Sequence, residues 1–427
     1  MKRALTRTLT LLLALLLAAT ILAWPRDEFI ASRTPADWAA SSANIARGAY
    51  LARAGNCMGC HTVRGGAAYA GGRALVTPFG TLYGPNLTPD DATGLGTWRA
   101  DDFWGALHNG RARGGRYLYP AFPFPHYTRT TRADSDALYA YLRSLAPVRQ
   151  PNRAHAIDFP FNTQLALAGW RLLFFKPGVF KPTPTPTPTP AHTTEWNRGA
   201  YLVEGLGHCS ACHSSRNAFG ASGAGLAGGL IPVLNWYAPS LHVDASWRTE
   251  ELARLLHTGT TARATVFGPM AEVVANSLQY LTTEDVHAMA LYLKALPPSA
   301  EATLPVAAPM ATPNQAVMAA GARLYERHCA SCHGSAGQGL APAYPPLAGS
   351  GTLAATEPVN AVRLVLQGGF APGTAGNPRP YGMPPFAHLL DDAELAQLLG
   401  YARASWGNRA GAVTAAQVNR YRSVAPE

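Results

Sequence analysis

All six cysteines of this 427-residue chain fall into one five-residue pattern, and that pattern limits what each surrounding segment can become. The copies are Cys57-Met-Gly-Cys60-His61, Cys209-Ser-Ala-Cys212-His213 and Cys329-Ala-Ser-Cys332-His333. Cys-x-x-Cys-His reads as a site of covalent c-type haem attachment. The two thiols add to the porphyrin vinyl groups, and the next residue supplies an imidazole to the iron. A zinc site would need a fourth ligand in every copy, and a dithiol redox pair gives the histidine no role. No cysteine is left for a structural disulfide. The expectation is three covalent haem c groups, with His61, His213 and His333 as axial ligands.

The copies sit in repeated surroundings. Arg47-Gly-Ala-Tyr-Leu51, Arg198-Gly-Ala-Tyr-Leu202 and Gly321-Ala-Arg-Leu-Tyr325 precede them and read as short helices. Pro85-Asn-Leu87, Pro239-Ser-Leu241 and Pro345-Pro-Leu347 follow, then the turns Leu107–Gly110, Leu256–Gly259 and Leu366–Gly369. Each copy closes with an amphipathic helix, opened at Thr131, Thr282 or Asp391 by a capping residue three positions before an acidic one. This order resembles the small, mostly helical cytochrome c fold. The resemblance implies that the carbonyls of Pro85, Pro239 and Pro345 accept the Nδ1–H of the three haem histidines.

The fold class that follows is mostly α: three tandem class I cytochrome c-like domains joined by Pro-rich linkers, with an N-terminal signal or anchor helix. The boundaries are a signal or membrane anchor at 1–30, domain 1 at 44–150, a connecting segment at 151–190, domain 2 at 191–300, a linker at 301–312, domain 3 at 313–410 and a tail at 411–427. Within the connecting segment, Lys181 is followed by alternating proline and threonine to Pro190, which favours an extended polyproline spacer. Before it, Leu165–Lys176 is apolar but too short to cross a bilayer. It reads as core, as a partner-binding helix or as a segment lying in the lipid interface.

Opposite the histidine, electron-transfer haems commonly carry methionine, which raises the potential. Met270 and Met383 lie one loop before their closing helices and are the natural sixth ligands of the second and third haems. Met289, Met310 and Met318 read as helix or linker residues. In the first copy the matching position is Phe122, which cannot bind iron, and that module has no lysine and no methionine besides Met58. His108 has a counterpart in His257, in a module that already has Met270, so both read as structural. His126 is the leading candidate. A five-coordinate or water-bound iron, His155, a tyrosine and a partner group remain alternatives.

At the N-terminus, Lys2, Arg3 and Arg7 precede an apolar run from Leu9 to Trp24. This is an export signal, retained as an anchor or cleaved. Either outcome puts the bulk of the chain outside the cytoplasm, at the periplasmic side of the cell inner membrane. The formal charge is +10, with only four lysines among 35 basic residues. Arginines suit haem propionates, and no basic stripe with interleaved aromatics points to nucleic acid.

Taken together, Arg-Gly-Ala-Tyr-Leu before the haem motifs, Pro-Phe-Gly-Thr-Leu-Tyr-Gly-Pro-Asn-Leu-Thr-Pro at 78–89, Leu-Tyr-Pro-Ala-Phe-Pro at 118–123, Glu-Trp-Asn-Arg-Gly-Ala-Tyr-Leu at 195–202 and Trp-Tyr-Ala-Pro-Ser-Leu at 236–241 are specific. The chain resembles the membrane-bound triheme cytochrome c subunits of bacterial periplasmic dehydrogenases for alcohols, aldehydes and sugar acids. That resemblance implies an electron-transfer subunit without catalytic residues of its own. Its partner would be a catalytic dehydrogenase of molybdopterin, PQQ or flavin type, with a small iron–sulfur subunit as a further candidate. Electrons would pass to ubiquinone in the membrane. Alcohol-oxidising members typically carry methionine at the place of Phe122, so this departure leans toward the aldehyde-type, molybdopterin-linked branch. Two other readings stand beside it: a relay to a terminal oxidase, and a peroxidase-like enzyme with an open first haem. No nucleophile elbow, Walker sequence or dinucleotide fingerprint is present.

Overall fold

The computed structural model describes residues 41–183, 193–223, 225–297, 313–341 and 343–424, together with Thr10. The anchor expected at 1–30, the linker at 301–312 and most of the Pro-Thr spacer lie outside these residues. Among the described residues no helix is long and apolar enough to cross a membrane.

The described chain is mostly helical and falls into two compact units. One takes the described part of Met1–Pro182 with Glu204–His208 and Ala218–Ala221; the other takes Thr183–Val203, Cys209–Asn217 and the described part of Ser222–Glu427.

In the first unit, α1 (Ser42–Ala54) starts where the Ser41 hydroxyl accepts from Asn44 N, 3.1 Å away. Asn56 then takes a left-handed turn (φ 47°) and starts α2 (Cys57–His61), the attachment motif itself. Asparagine tolerates this conformation better than most side chains. Strands β1 (Ala74–Thr77) and β2 (Gly80–Tyr83) pair antiparallel. Helix α3 (Ala100–Asn109) ends on Gly110 at φ 57°. The short α4 (Phe124–Tyr127) leads to α5 (Arg132–Ser144), capped by Thr131. Strand β3 (Ala156–Ile157) pairs with β2, giving the order β1-β2-β3. Helix α6 (Gln164–Phe174) follows.

Helices α1 and α5 pack through Gly48. A Cβ built there would lie 1.9 Å from the Ala137 carbonyl oxygen, so only glycine lets the backbones come this close. Beside it, Arg47 Nε donates to Asp134 Oδ1 at 2.7 Å.

In the second unit this pair of helices recurs twice. Helix α7 (Thr194–Tyr201) runs into a π-helical turn, Leu202–Leu206, of which Glu204–Leu206 count with the first unit, and the motif helix α8 (Ser210–His213) follows. The hairpin β4 (Gly229–Ile231) and β5 (Trp236–Ala238) precedes α9 (Thr249–Thr258), α10 (Pro269–Asn276) and the closing α11 (Thr283–Lys294). Gly199 faces the Ala288 carbonyl as Gly48 faces that of Ala137, at 2.0 Å from a built Cβ. Arg198 grips Asp285 with two bonds, 2.8 and 2.7 Å. Next come α12 (Gln315–His328), the motif helix α13 (Ala330–His333), α14 (Gly351–Ala354), α15 (Val359–Gln367), the paired β6 (Gly369–Phe370) and β7 (Gly382–Met383), and α16 (Asp392–Ala404). Gly321 again faces a carbonyl, that of Gln397, but no arginine precedes it.

A final helix, α17 (Ala415–Arg422), occupies residues that the sequence assigns to the tail. Val413, Val418 and Tyr421 are buried in the core formed by α15 and α16. Arg422 ties the helix to Asp392 and to the carbonyls of Ala387 and Leu390. The exposed Asn419 and Arg420 between these anchors hide the helix from a reading of periodicity.

Candidate haem centres

Each attachment motif forms a helical turn, so its cysteines and its histidine project from one short segment. The three histidines make the same contact. The Nδ1 of His61 lies 2.8 Å from Pro85 O, that of His213 2.7 Å from Pro239 O, and that of His333 2.9 Å from Pro345 O. A carbonyl only accepts, so Nδ1 carries the proton and Nε2 keeps its lone pair. Burial pushes all three imidazoles below their ordinary value, against the opposing pull of the proline carbonyl. Each ring is therefore held in one tautomer.

No thiol is in a disulfide. Burial, and then the neighbouring cysteine, pushes Cys57 and Cys209 up to about 12 and Cys329 up to about 11. Among the described residues no cluster of three or more His, Cys, Asp or Glu side chains could hold a metal ion. In each turn two thiols stand beside an imidazole whose Nδ1 is the donor, a set that fits covalent haem.

Met383 lies on β7 opposite Gly369, and it packs against the same hydrophobic core as Cys329. Met270 is the second residue of α10, after Gly268 at φ 55°. Met289 is buried in α11.

In the first unit, Phe122 packs against Tyr127, with ring centroids 5.3 Å apart, and Phe124 is fully buried beneath Gly110. His126 sits half-buried on α4 between the buried Phe124 and Tyr127. His108 Nδ1 donates to Thr128 O at 2.9 Å, and its ring stacks on Trp104. His257 Nε2 likewise meets Gln279 O at 3.0 Å. Both have a backbone partner, as suits structural histidines. His155 Nδ1 accepts from Tyr83 N–H at 3.2 Å, which puts the ring proton on Nε2 and removes the lone pair iron would need.

One half-buried histidine has no signal in the sequence beyond its place before Cys209. His208 Nδ1 donates to Leu206 O at 2.8 Å, and its ring meets Tyr127 edge-on at 5.5 Å. Burial lowers its pKa from the ordinary 6.5, and the Leu206 carbonyl opposes this only in part. The folded state thus binds this proton less readily than the unfolded one. Its contribution to stability is complete above about pH 6.5 and is lost as pH falls through the lowered value. The expected result is an unfolding midpoint that falls as pH drops below about 6.5, with a shallower slope in His208→Gln. Equal slopes for both proteins would count against it.

The cytochrome c family matches residues 45–146 and 318–406 of the chain. The cytochrome c subunit of alcohol dehydrogenase (quinone) from Gluconacetobacter polyoxogenes is 38% identical over 403 residues, covering 90% of this chain and 85% of that protein. The gluconate 2-dehydrogenase cytochrome c subunit of Pantoea cypripedii is 38% identical over 408 residues, 90% of each chain. The fructose dehydrogenase cytochrome subunit of Gluconobacter japonicus is 34% identical over 455 residues, covering 99% of this chain and 90% of that protein.

Proposed function

The chain belongs to the family of cytochrome c subunits of dehydrogenase complexes, carries covalent haem c and transfers electrons; on that footing we propose that it holds three haems in three tandem domains and passes electrons from a periplasmic dehydrogenase to ubiquinone. The observation that carries this reading is the threefold recurrence of one arrangement: an attachment turn whose histidine donates to a proline carbonyl. Bound haem c supplies a reversible one-electron couple. The residues of the chain keep Nδ1 protonated and Nε2 free, fix the ring orientation, and exclude water through the packed opening and closing helices. Met270 and Met383 are the sixth ligands in this reading.

The partner is a catalytic dehydrogenase acting on an aldehyde or an alcohol, and the place of action is the periplasmic face of the inner membrane. Besides the apolar run from Leu9 to Trp24, α6 supports a membrane seat: Leu172 and Leu173 are 68% and 70% exposed, and Leu165 and Phe159 are exposed as well. Exposed apolar area on one helix suits an interfacial position.

The test is purification from native membranes in mild detergent, followed by ubiquinone reduction with alcohols and aldehydes. A co-purifying dehydrogenase subunit with substrate-dependent quinone reduction is the expected result. A cytochrome that purifies alone and reduces no quinone overturns it.

His126 is the proposed sixth ligand of the first haem. His126→Ala is expected to convert that haem from low spin to high spin, read by absorption and electron paramagnetic resonance. An unchanged spectrum removes His126 from the role.

A further inference from the structure

The second and third attachment motifs belong to one compact unit, and a buried polar contact joins their surroundings. Strand β5 runs straight into Pro239, the residue whose carbonyl accepts from His213. Helix α15, which follows the third motif, grips this strand with two side chains.

Asn360 Oδ1 accepts from Tyr237 N at 2.9 Å, and its Nδ2 donates to Tyr237 O at 2.7 Å. One side-chain amide thus satisfies both backbone groups of a strand residue, as a neighbouring strand would. Arg363 is 1% exposed. Its guanidinium lies 4.3 Å from the Trp236 ring centroid and donates to the carbonyls of Leu234 and Asn235. Its other edge donates to Gln367 Oε1, whose amide reaches Val424 O. Trp236 also lies over Gly268, where a Cβ would come within 3.0 Å of the indole. Gly268 stands two residues before Met270.

The gripped strand therefore bears on both sides of the second haem's ligand set: the carbonyl behind His213, and the turn that leads to Met270. We propose that Asn360 and Arg363 are positioning residues that set the reduction potential of the second haem from within the third domain. Two effects act together. Holding β5 fixes the acceptor of the His213 proton and with it the basicity of the imidazole. A buried cation stacked on Trp236 favours the reduced, less positive iron. The proposal rests on reading Cys209–His213 as a haem site.

The experiment is a stepwise redox titration of the intact detergent-purified protein, with resonance spectra of each oxidised haem. Arg363→Gln is expected to lower the second haem's reduction equilibrium constant by about threefold or more, with the other two unmoved. Arg363→Lys keeps the charge and is expected to recover most of that loss. Asn360→Leu keeps the volume but makes neither bond, and is expected to move the resonance signature of the second haem alone. Unchanged potentials and spectra in Arg363→Gln and Asn360→Leu, with all haems present, overturn the proposal. Should Arg363→Gln fail to fold, Asn360→Leu and the milder Asn360→Ser decide it by the same readout. Peptide mass of the wild-type protein tests the underlying reading separately, because an unmodified Cys209–Cys212 peptide removes the haem site itself.

Discussion

A chain with Cys209 and Cys212 both changed to alanine is expected to carry two haems in place of three and to lose substrate-driven quinone reduction almost entirely. The reason lies in the thiols. Neither is in a disulfide, and both come from one attachment turn that also carries His213. Without them the remaining tethers are the imidazole and the proposed ligand Met270, both reversible. A middle haem that fails to attach leaves a gap in the relay, so the loss of activity should greatly exceed the one-third loss of haem. Whole-protein mass and the haem-to-protein ratio give the first result, and quinone reduction the second. Three haems in the variant would show that these cysteines are not the attachment site. Two haems with near-normal activity would show that the second haem lies off the electron path.

Gly199→Val is expected to destabilise the second unit by about 3 kcal/mol or more, near the upper end of what overpacking costs. A Cβ at this position lies 2.0 Å from the Ala288 carbonyl oxygen, and the offending atom is the first of the side chain, so no rotamer relieves it. The obstacle is backbone, so α7 and α11 must separate. Separation also stretches the two bonds from Arg198 to Asp285 and opens the Trp196–Tyr292 contact, whose ring centroids are 5.1 Å apart. Gly48→Val should behave alike between α1 and α5. The control is Gly169→Ala in α6, where a Cβ meets nothing within 4 Å. That change should be neutral or stabilising by up to about 1 kcal/mol, because alanine restricts the unfolded chain and favours helix. Denaturant midpoints measure all three. A Gly199→Val midpoint equal to wild type would mean that the helices tolerate a wider separation.

The three glycines show how a signal can be present and still say little. Gly48, Gly199 and Gly321 recur at matching places in the segments before each motif, but a repeated glycine in a helix does not reveal what presses on it. The capping residues are legible: Thr131, Thr282 and Asp391 each accept from the backbone N–H three residues on. The proline carbonyls are legible only through resemblance to a known fold, since His61 and Pro85 are 24 residues apart and nothing local joins them. Helix α17 escapes a sequence reading because its buried positions, Val418 and Tyr421, are few and separated by polar residues.

Attachment chemistry is legible in the sequence alone because it is local: two thiols and an imidazole within five consecutive residues already define the reactive groups and their order. Helix starts are legible for the same reason, a cap acting over three residues. The close approach of paired helices, the tautomer of His155, the ring contact of His208 with Tyr127 and the grip of α15 on β5 belong to the tertiary structure. Each depends on which distant backbone group a side chain meets: Asn360 lies 123 residues from Tyr237, and Arg363 129 residues from Leu234. Such pairings form only when folding brings remote segments together, and no periodicity in the chain encodes them.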